Sequence, residues 1–430
     1  MARGRACNNS GFDGVLNSVS RHCVLAPITF EDVLLWQIRM GRRKICVVTT
    51  SRAEYGLLRN LIECIRSDAH LRLQLIASGT HLARDFGFTV REIEADGHKI
   101  DRRIDLKLKG KSGLANAESV GRGLCRFATA LRELRPDIVV LLGDRFELLA
   151  PAIAALMLRV PIAHIHGGER SEGAVDEAVR HAITKMSSLH FAATECYRRR
   201  IIQMGETPET VFAFGAPGLD QVHHATLLTR PQLERELDFS LKGAVGLVTF
   251  HPATRDVCST EVQIRQLMAA VKASGLRAIL TMANADANGA AINAYLRAAC
   301  AARPERFKWF PHLGHLRYLS CLRHLAVMVG NSSSGLIEAP SFHMPVVNVG
   351  DRQRGRIRAR NVIDVPCNRD AILSAIRRAI SSGFRASLHG MRNPYDRYRD
   401  GRTSERIKNV LSDVAISDNF LKKSFYDLPN

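Results

Sequence analysis

Carboxylates gather in two short stretches of this chain, GDR at 143–145 and GGERSEGAVDEAVRH at 167–181. Asp144, Glu169, Asp176 and Glu177 follow apolar runs, and Arg145 and Arg180 stand beside them. Taken singly, each is a solvated surface charge, the usual fate of Asp and Glu, with the arginines neutralising them. Taken together they suit acid–base work, in which one carboxyl group removes a proton and another returns it. A second set is small and polar. GNSSSG at 330–335 ends the apolar run LAVMV and opens a helical pattern. Free N–H groups and a helix dipole at such a turn attract an anion, and Gly335 lets the backbone come close. The hydroxyls of Ser332, Ser333 and Ser334 add donors, which makes a diphosphate seat. Simple N-capping by serine is the equal alternative. Arg52, with Ala53 beside it, and His251 also stand where apolar runs end and could face the same charge. Glu338, one turn beyond the serines, suits the two hydroxyls of a ribose. GxGxxG and GxxxxGK[ST] are absent, against dinucleotide and P-loop binding.

HIHGGE at 164–169 has a competing reading. His164 and His166 alternate on an expected strand and so face one side, with Glu169 near and His181 on the next helix. A metal could use such a set, but no further ligand spacing is evident. His164 lies inside the apolar run and reads as core. No metal is assigned.

These groups need elements that hold them at one end of a sheet. Near-continuous apolar runs mark strands buried on both faces: KICVVTTS, LQLIASG, IVVLLGDR, IAHIHGGE, LHFAATE and VFAFGAP. AVGLVTFHP, LRAILTMAN, FKWFP, LAVMVGN and PVVNVGD form a second series, and helical patterns intervene throughout. The expected fold is α/β, two doubly wound Rossmann-like domains facing across a cleft. In such sheets ligands bind beyond the carboxyl ends of strands, where the polar groups above fall. The charged stretch 220–243 separates the series. Residues 40–220 are expected to form an N-terminal domain with the acid–base groups, and 221–392 a C-terminal domain with the anion seat. Residues 393–430 form a helix and tail that cross back to the first domain. Residues 1–39 fit neither series and read as an extension, disordered or not native.

Bulk properties narrow the function. The chain has 430 residues, 46% of them apolar, enough for sizeable cores. No apolar run reaches the roughly 20 residues of a membrane helix, and no signal peptide is visible. Ten cysteines lie singly, without a CxxC pair, which fits a reducing cytoplasm. The net charge of +19 is spread without a Lys/Arg block or aromatic platform, so an anionic small molecule is favoured over nucleic acid.

TSRAEYGLL, LLGDR, HIHGGE, DEAVRHAITKMS, FHPATRD, GNSSSGLIEAP and NVGDRQRGR occur in this order. Together they closely resemble the hydrolysing UDP-N-acetylglucosamine 2-epimerases of bacterial sialic-acid synthesis, from about Met40 through the KSFYDLP tail. That family is similar in fold to GT-B-type glycosyltransferases. The resemblance implies conversion of UDP-N-acetylglucosamine and water to UDP and N-acetylmannosamine, with no metal, nicotinamide or other cofactor. It implies that Arg52, His251, Ser332 and Ser333 grip the diphosphate and Glu338 the ribose. Arg352 would line the nucleotide site and Asn284 the uracil side. Asp144, Glu169 and Glu177 become the acid–base candidates, supported by Arg145. At least one of these carboxyls needs a raised pKa. A homo-oligomer, dimer or tetramer, is expected; nucleic acid and membrane are not. Three rivals remain: a UDP-2,4-diacetamido-trideoxyhexose hydrolysing 2-epimerase, a GT-B glycosyltransferase, and a non-catalytic RNA-binding protein.

Overall fold

Every apolar run expected as a strand becomes one, and all pair in parallel. The computed structural model describes residues 41–84, 87–108, 112–171, 175–252, 259–283 and 289–429. Strands β1 (Arg43–Thr49), β2 (Leu71–Ser78), β3 (Arg102–Ile104), β4 (Ile138–Leu142), β5 (Ile162–Ile165), β6 (Leu189–Ala192) and β7 (Val211–Ala213) build the first sheet. Its order is β3-β2-β1-β4-β5-β6-β7. Strands β8 (Val245–Thr249), β9 (Arg277–Thr281), β10 (Phe307–Phe310), β11 (Val327–Gly330), β12 (Val346–Val349) and β13 (Val362–Val365) build the second, in the order β10-β9-β8-β11-β12-β13. Chain order reverses between β1 and β4 and between β8 and β11, so each sheet has a switch point where side chains can converge beyond the strand ends.

Helices cover both faces of each sheet. On β1, Ile45 and Val47 enter one core cluster while Cys46 and Val48 enter another, as two-faced burial requires. On the second sheet Val327 and Val329 face one cluster and Met328 the other. The two strands that patterning missed, β3 and β13, are both sheet edges. RRI and VIDV carry charges because an edge strand faces solvent, so neither shows the continuous apolar signal.

Arg42–Asn430 packs as one compact unit. The late helix takes up only part of the stretch 393–430. It begins at Thr403 and ends at Asp413. Asp220 fixes its start by accepting from the N–H groups of Thr403 at 2.9 Å and Ser404 at 2.6 Å. Ile407 and Leu411 then bury in the first sheet's core beside Leu58, Leu61 and Ile62. Lys408 pairs with Asp68 at 2.9 Å, and the Lys423 ammonium in the tail meets Glu206 at 2.6 Å. The first lobe therefore contains both β1–β7 and the end of the chain. A separate apolar cluster joins the lobes, with Tyr197 and Ile201 from the first meeting Leu336 and Ile337 from the second.

Candidate active site

Gly143, at φ 92°, turns the chain sharply as β4 ends and delivers Asp144 to the sheet's carboxyl edge. The helix Val175–Met186 returns Arg180 to the same place, where it is 1% exposed. Arg180 donates to Asp144 Oδ2 and, at 2.6 Å, to the His166 carbonyl. Ser171 Oγ donates to the same Asp144 oxygen at 3.0 Å. Burial alone would raise the Asp144 carboxyl, but Arg180, Arg356 and the Ser171 hydroxyl outweigh it and hold it below its ordinary value.

Glu169 sits one turn away, with its carboxylate 2.5 Å from His166 Nδ1, 3.7 Å from Arg356 and 4.0 Å from Arg180. Burial works upward on it. His166, Arg356 and Arg180 work downward by more, and it is held at about 2. Glu177 accepts from the Ser171 N–H and lies 3.2 Å from His181 Nε2. The three predicted carboxylates thus converge around Ser171 and Arg180.

Two expectations are corrected here. Asp144 and Glu169 are both lowered, not raised as the chemistry asks. Beside them Glu54, just after β1, is buried and pushed up to about 7 by that burial. Glu54 accepts from the Thr50 N–H at 2.7 Å and from its hydroxyl at 2.9 Å. Arg145, expected to support Asp144 and Glu169, meets two other carboxyls among the described residues. Its guanidinium donates to the fully buried Glu147 at 2.7 Å and lies 3.8 Å from Glu54. The cations on the candidates are Arg180 and Arg356. β1 and β4 are hydrogen-bonded neighbours, so the Glu54 cluster lies beside the Asp144 cluster.

The histidines separate. His164 is in the interior, bonded to the Gly143 carbonyl at 2.8 Å and Thr184 at 3.1 Å, with burial pushing its imidazole down to about 3. The alternation read from sequence stops at Ile165: His166 takes φ 63° and turns to Glu169 instead. Among the described residues no three His, Cys, Asp or Glu side chains could hold a metal ion together.

At the switch point of the second sheet, the glycine of GNSSSG answers a steric demand. Gly330 has φ 141°, and a Cβ there would lie 1.9 Å from the Thr249 carbonyl oxygen on β8. This close approach lets Asn331 stitch three strand ends together. Its side chain accepts from His251 N at 2.7 Å and donates to His251 O at 2.8 Å. Its carbonyl accepts from Arg352 at 3.2 Å and Gln353 at 2.9 Å. Ser332 and Ser333 are half-buried, and among the described residues their N–H groups have no acceptor. Ser334 Oγ accepts from the Tyr318 hydroxyl at 2.6 Å, and Gly335 packs so tightly that a Cβ would meet Val346 at 2.8 Å. The helix expected after this loop is a single turn, Ser334–Ile337, continued as a 3-10 turn at Ala339–Phe342. A macrodipole therefore contributes little, and what the turn offers is open N–H groups and hydroxyls. Glu338 closes the turn with its carboxyl raised by burial.

The remaining expected residues surround this frame. Burial and, secondarily, the Arg352 charge depress the His251 imidazole, so it is neutral here. Arg52, at the start of the helix Arg52–Ser67, pairs with Glu92 at 2.9 Å and is not hydrogen-bonded to the serine loop. Ala53 is exposed beside it. Asn284 lies outside the described residues. The contributors that patterning missed are Glu147, Ser171 and Arg356; Glu54 stood among the polar groups that close the first strand but was given no role. Arg356 lay in NVGDRQRGR, four residues beyond Arg352, but nothing in that spacing tells that it crosses to the other lobe.

Comparison with known proteins follows the same outline. A family model described as UDP-N-acetylglucosamine 2-epimerase matches residues 63–412. The chain is 38% identical over 390 residues to a Campylobacter jejuni protein named GDP/UDP-N,N'-diacetylbacillosamine 2-epimerase (hydrolyzing), covering 90% of this chain and 100% of that one. It is 39% identical over 382 residues to the Legionella pneumophila UDP-N,N'-diacetylbacillosamine 2-epimerase (hydrolyzing), covering 89% and 98%. Its fold is similar, with a TM-score of 0.73 at 18% identity, to the crystal structure of UDP-GlcNAc 2-epimerase from Neisseria meningitidis bound to UDP-GlcNAc, covering 86% and 99%.

Proposed function

The chain belongs to the UDP-N-acetylglucosamine 2-epimerase family, and from that premise we propose that it is a hydrolysing 2-epimerase of an N-acetylated UDP-hexosamine. The observation that carries this reading is the pair Asp144 and Glu169, both held ionised beneath Arg180 at the carboxyl edge of the first sheet. At the second sheet's switch point stands a donor-rich turn, with Ser332, Ser333, the neutral His251 and Arg352 around Asn331.

The difficult step is inversion at C2, whose hydrogen is not acidic while no carbonyl adjoins it. Expelling UDP first breaks the C1–O bond with both electrons leaving on the diphosphate. Ser332, Ser333, His251 and Arg352 stabilise that departing charge. The sugar gains oxocarbenium character, which ionised carboxylates nearby favour. An ionised carboxylate then takes the C2 proton, and the 2-acetamidoglycal of that sugar results. Water adds its oxygen to C1, and a proton returns to the opposite face of C2. Depressed carboxylates suit proton removal and cation stabilisation; proton return requires the group to be protonated in that step. Products are UDP and the free 2-epimeric sugar.

The 2,4-diacetamido sugar is the favoured substrate, because two relatives at 38% and 39% identity carry that name over nearly their whole length. UDP-N-acetylglucosamine is the second reading, supported by the family's own description. Incubation with each sugar nucleotide in heavy water, read by NMR, tests both. UDP release with deuterium at an inverted C2 is expected from one of them. Release of UDP without deuterium at C2, or no release from either, overturns the proposal.

A further inference from the structure

Arg356 belongs to the second lobe, in the loop that follows β12, yet its side chain lies in the first. Its Nε donates to the Arg170 carbonyl at 3.0 Å and its Nη2 to Ser171 Oγ at 3.3 Å, with Glu169 Oε2 3.7 Å from the same guanidinium. Both ends of its loop are fixed. Arg352 holds the Asn331 carbonyl at the serine turn. Beyond Arg356, the Ile357 N–H donates to the Tyr197 hydroxyl at 3.0 Å, and the Tyr395 hydroxyl donates to the Ile357 carbonyl at 3.1 Å. Tyr197 and Tyr395 are both 0% exposed. One short loop therefore has Arg352 on the anion seat and Arg356 on the acid–base turn.

We infer that Arg356 is a positioning residue through which the nucleotide-side lobe orders the acid–base site, clamping the 169–171 turn so that Glu169 and the Ser171–Asp144 pair stand in one arrangement. This rests on the proposed function, since it assigns Glu169 and Asp144 to that chemistry. The planar guanidinium matters: it bonds the turn's carbonyl and its hydroxyl from one rigid fork, whereas an ammonium supplies charge without that geometry. Charge and clamp are therefore separable. Facing Glu169 and Asp144 are His166 from the same turn, Arg180 from the following helix, Arg356 from the second lobe, and the phenols of Tyr197 and Tyr395. Glu177 and His181 stand beyond Ser171. Of the two guanidiniums, Arg356 alone arrives from the other lobe.

The test compares wild type, Arg356→Lys and Arg356→Met by calorimetric UDP binding and by the pH dependence of kcat and kcat/KM. The methionine variant is expected to bind UDP within about threefold of wild type while kcat falls about 100-fold, the scale of a lost acid–base contribution. Its acid limb moves up by about one pH unit, as removal of a nearby positive charge dictates. The lysine variant returns the acid limb to the wild-type position but leaves kcat about tenfold low, because charge is restored and the fork is not. A methionine variant with wild-type kcat and acid limb overturns the inference. So does a loss of UDP affinity matching the loss of kcat. If wild type turns over neither sugar nucleotide, the proposed function fails by itself and acid unfolding reads the inference instead. Because its carboxylates are then less depressed, Arg356→Met should lose less stability than wild type and Arg356→Lys as the pH is lowered from about 5 to about 2; coincident curves for all three overturn it.

Discussion

Asp144 and Glu169 share Arg180, so exchanging either for its amide keeps the shape of the site while removing the charge that chemistry needs. Asp144→Asn and Glu169→Gln are expected to fold, by unchanged circular dichroism, yet lose about 100-fold or more in turnover measured as UDP release. A variant retaining most of its turnover removes that carboxylate from the mechanism. Glu54 carries the opposite shift, from 4.5 up to about 7, with burial as its first cause. A carboxyl whose folded pKa is raised binds its proton more tightly in the native state. Its ionisation therefore costs stability, with no penalty below about pH 4.5 and a growing one as pH rises to about 7. Glu54→Gln should flatten that decline, and urea unfolding at pH 5 and pH 7 checks it. An unchanged difference between the two pH values would leave Glu54 without this role. The acid–base types were legible from sequence because carboxylates at strand ends are conspicuous. Which of them is raised was not, since burial, Arg145 and Glu147 decide it through space.

At the scale of elements, interior strands announced themselves and edges did not. β1 and β4 are apolar on both faces, whereas β3 and β13 keep charges toward solvent. Turn chemistry was read partly right. Glycine in GNSSSG was taken as room for a ligand, and at Gly330 it first makes room for β8. The single turn Ser334–Ile337 replaced an expected longer helix because Pro340 and the left-handed His343 redirect the chain. Gly330→Ala should be costly, by more than about 3 kcal/mol, since its Cβ meets backbone rather than a movable side chain and φ lies outside the L-residue range. Insoluble expression or a strongly lowered urea midpoint is expected. A wild-type midpoint would mean that β8 and β11 can part without loss.

The whole molecule depends on contacts between segments far apart in sequence. Tyr197 and Tyr395 are 198 residues apart and bond each other at 3.0 Å while holding Ile357 between them. Tyr197→Phe would leave the Ile357 N–H without its acceptor, at a cost of about 1–3 kcal/mol in urea unfolding. A smaller loss than that would show that this hydrogen bond adds little to the lobe junction beside its apolar cluster. The sequence by itself determined the strand–helix alternation, the paired sheets, the polar groups at their carboxyl ends and the family, because periodicity and motif order are local and one-dimensional. Only the tertiary structure decided which arginine serves which carboxylate. It turned Arg145 to Glu147, brought Arg180 back along its helix, and carried Arg356 across from the other lobe. Charge pairing depends on distances of a few ångströms between strand ends, and those distances exist only once the sheets have formed.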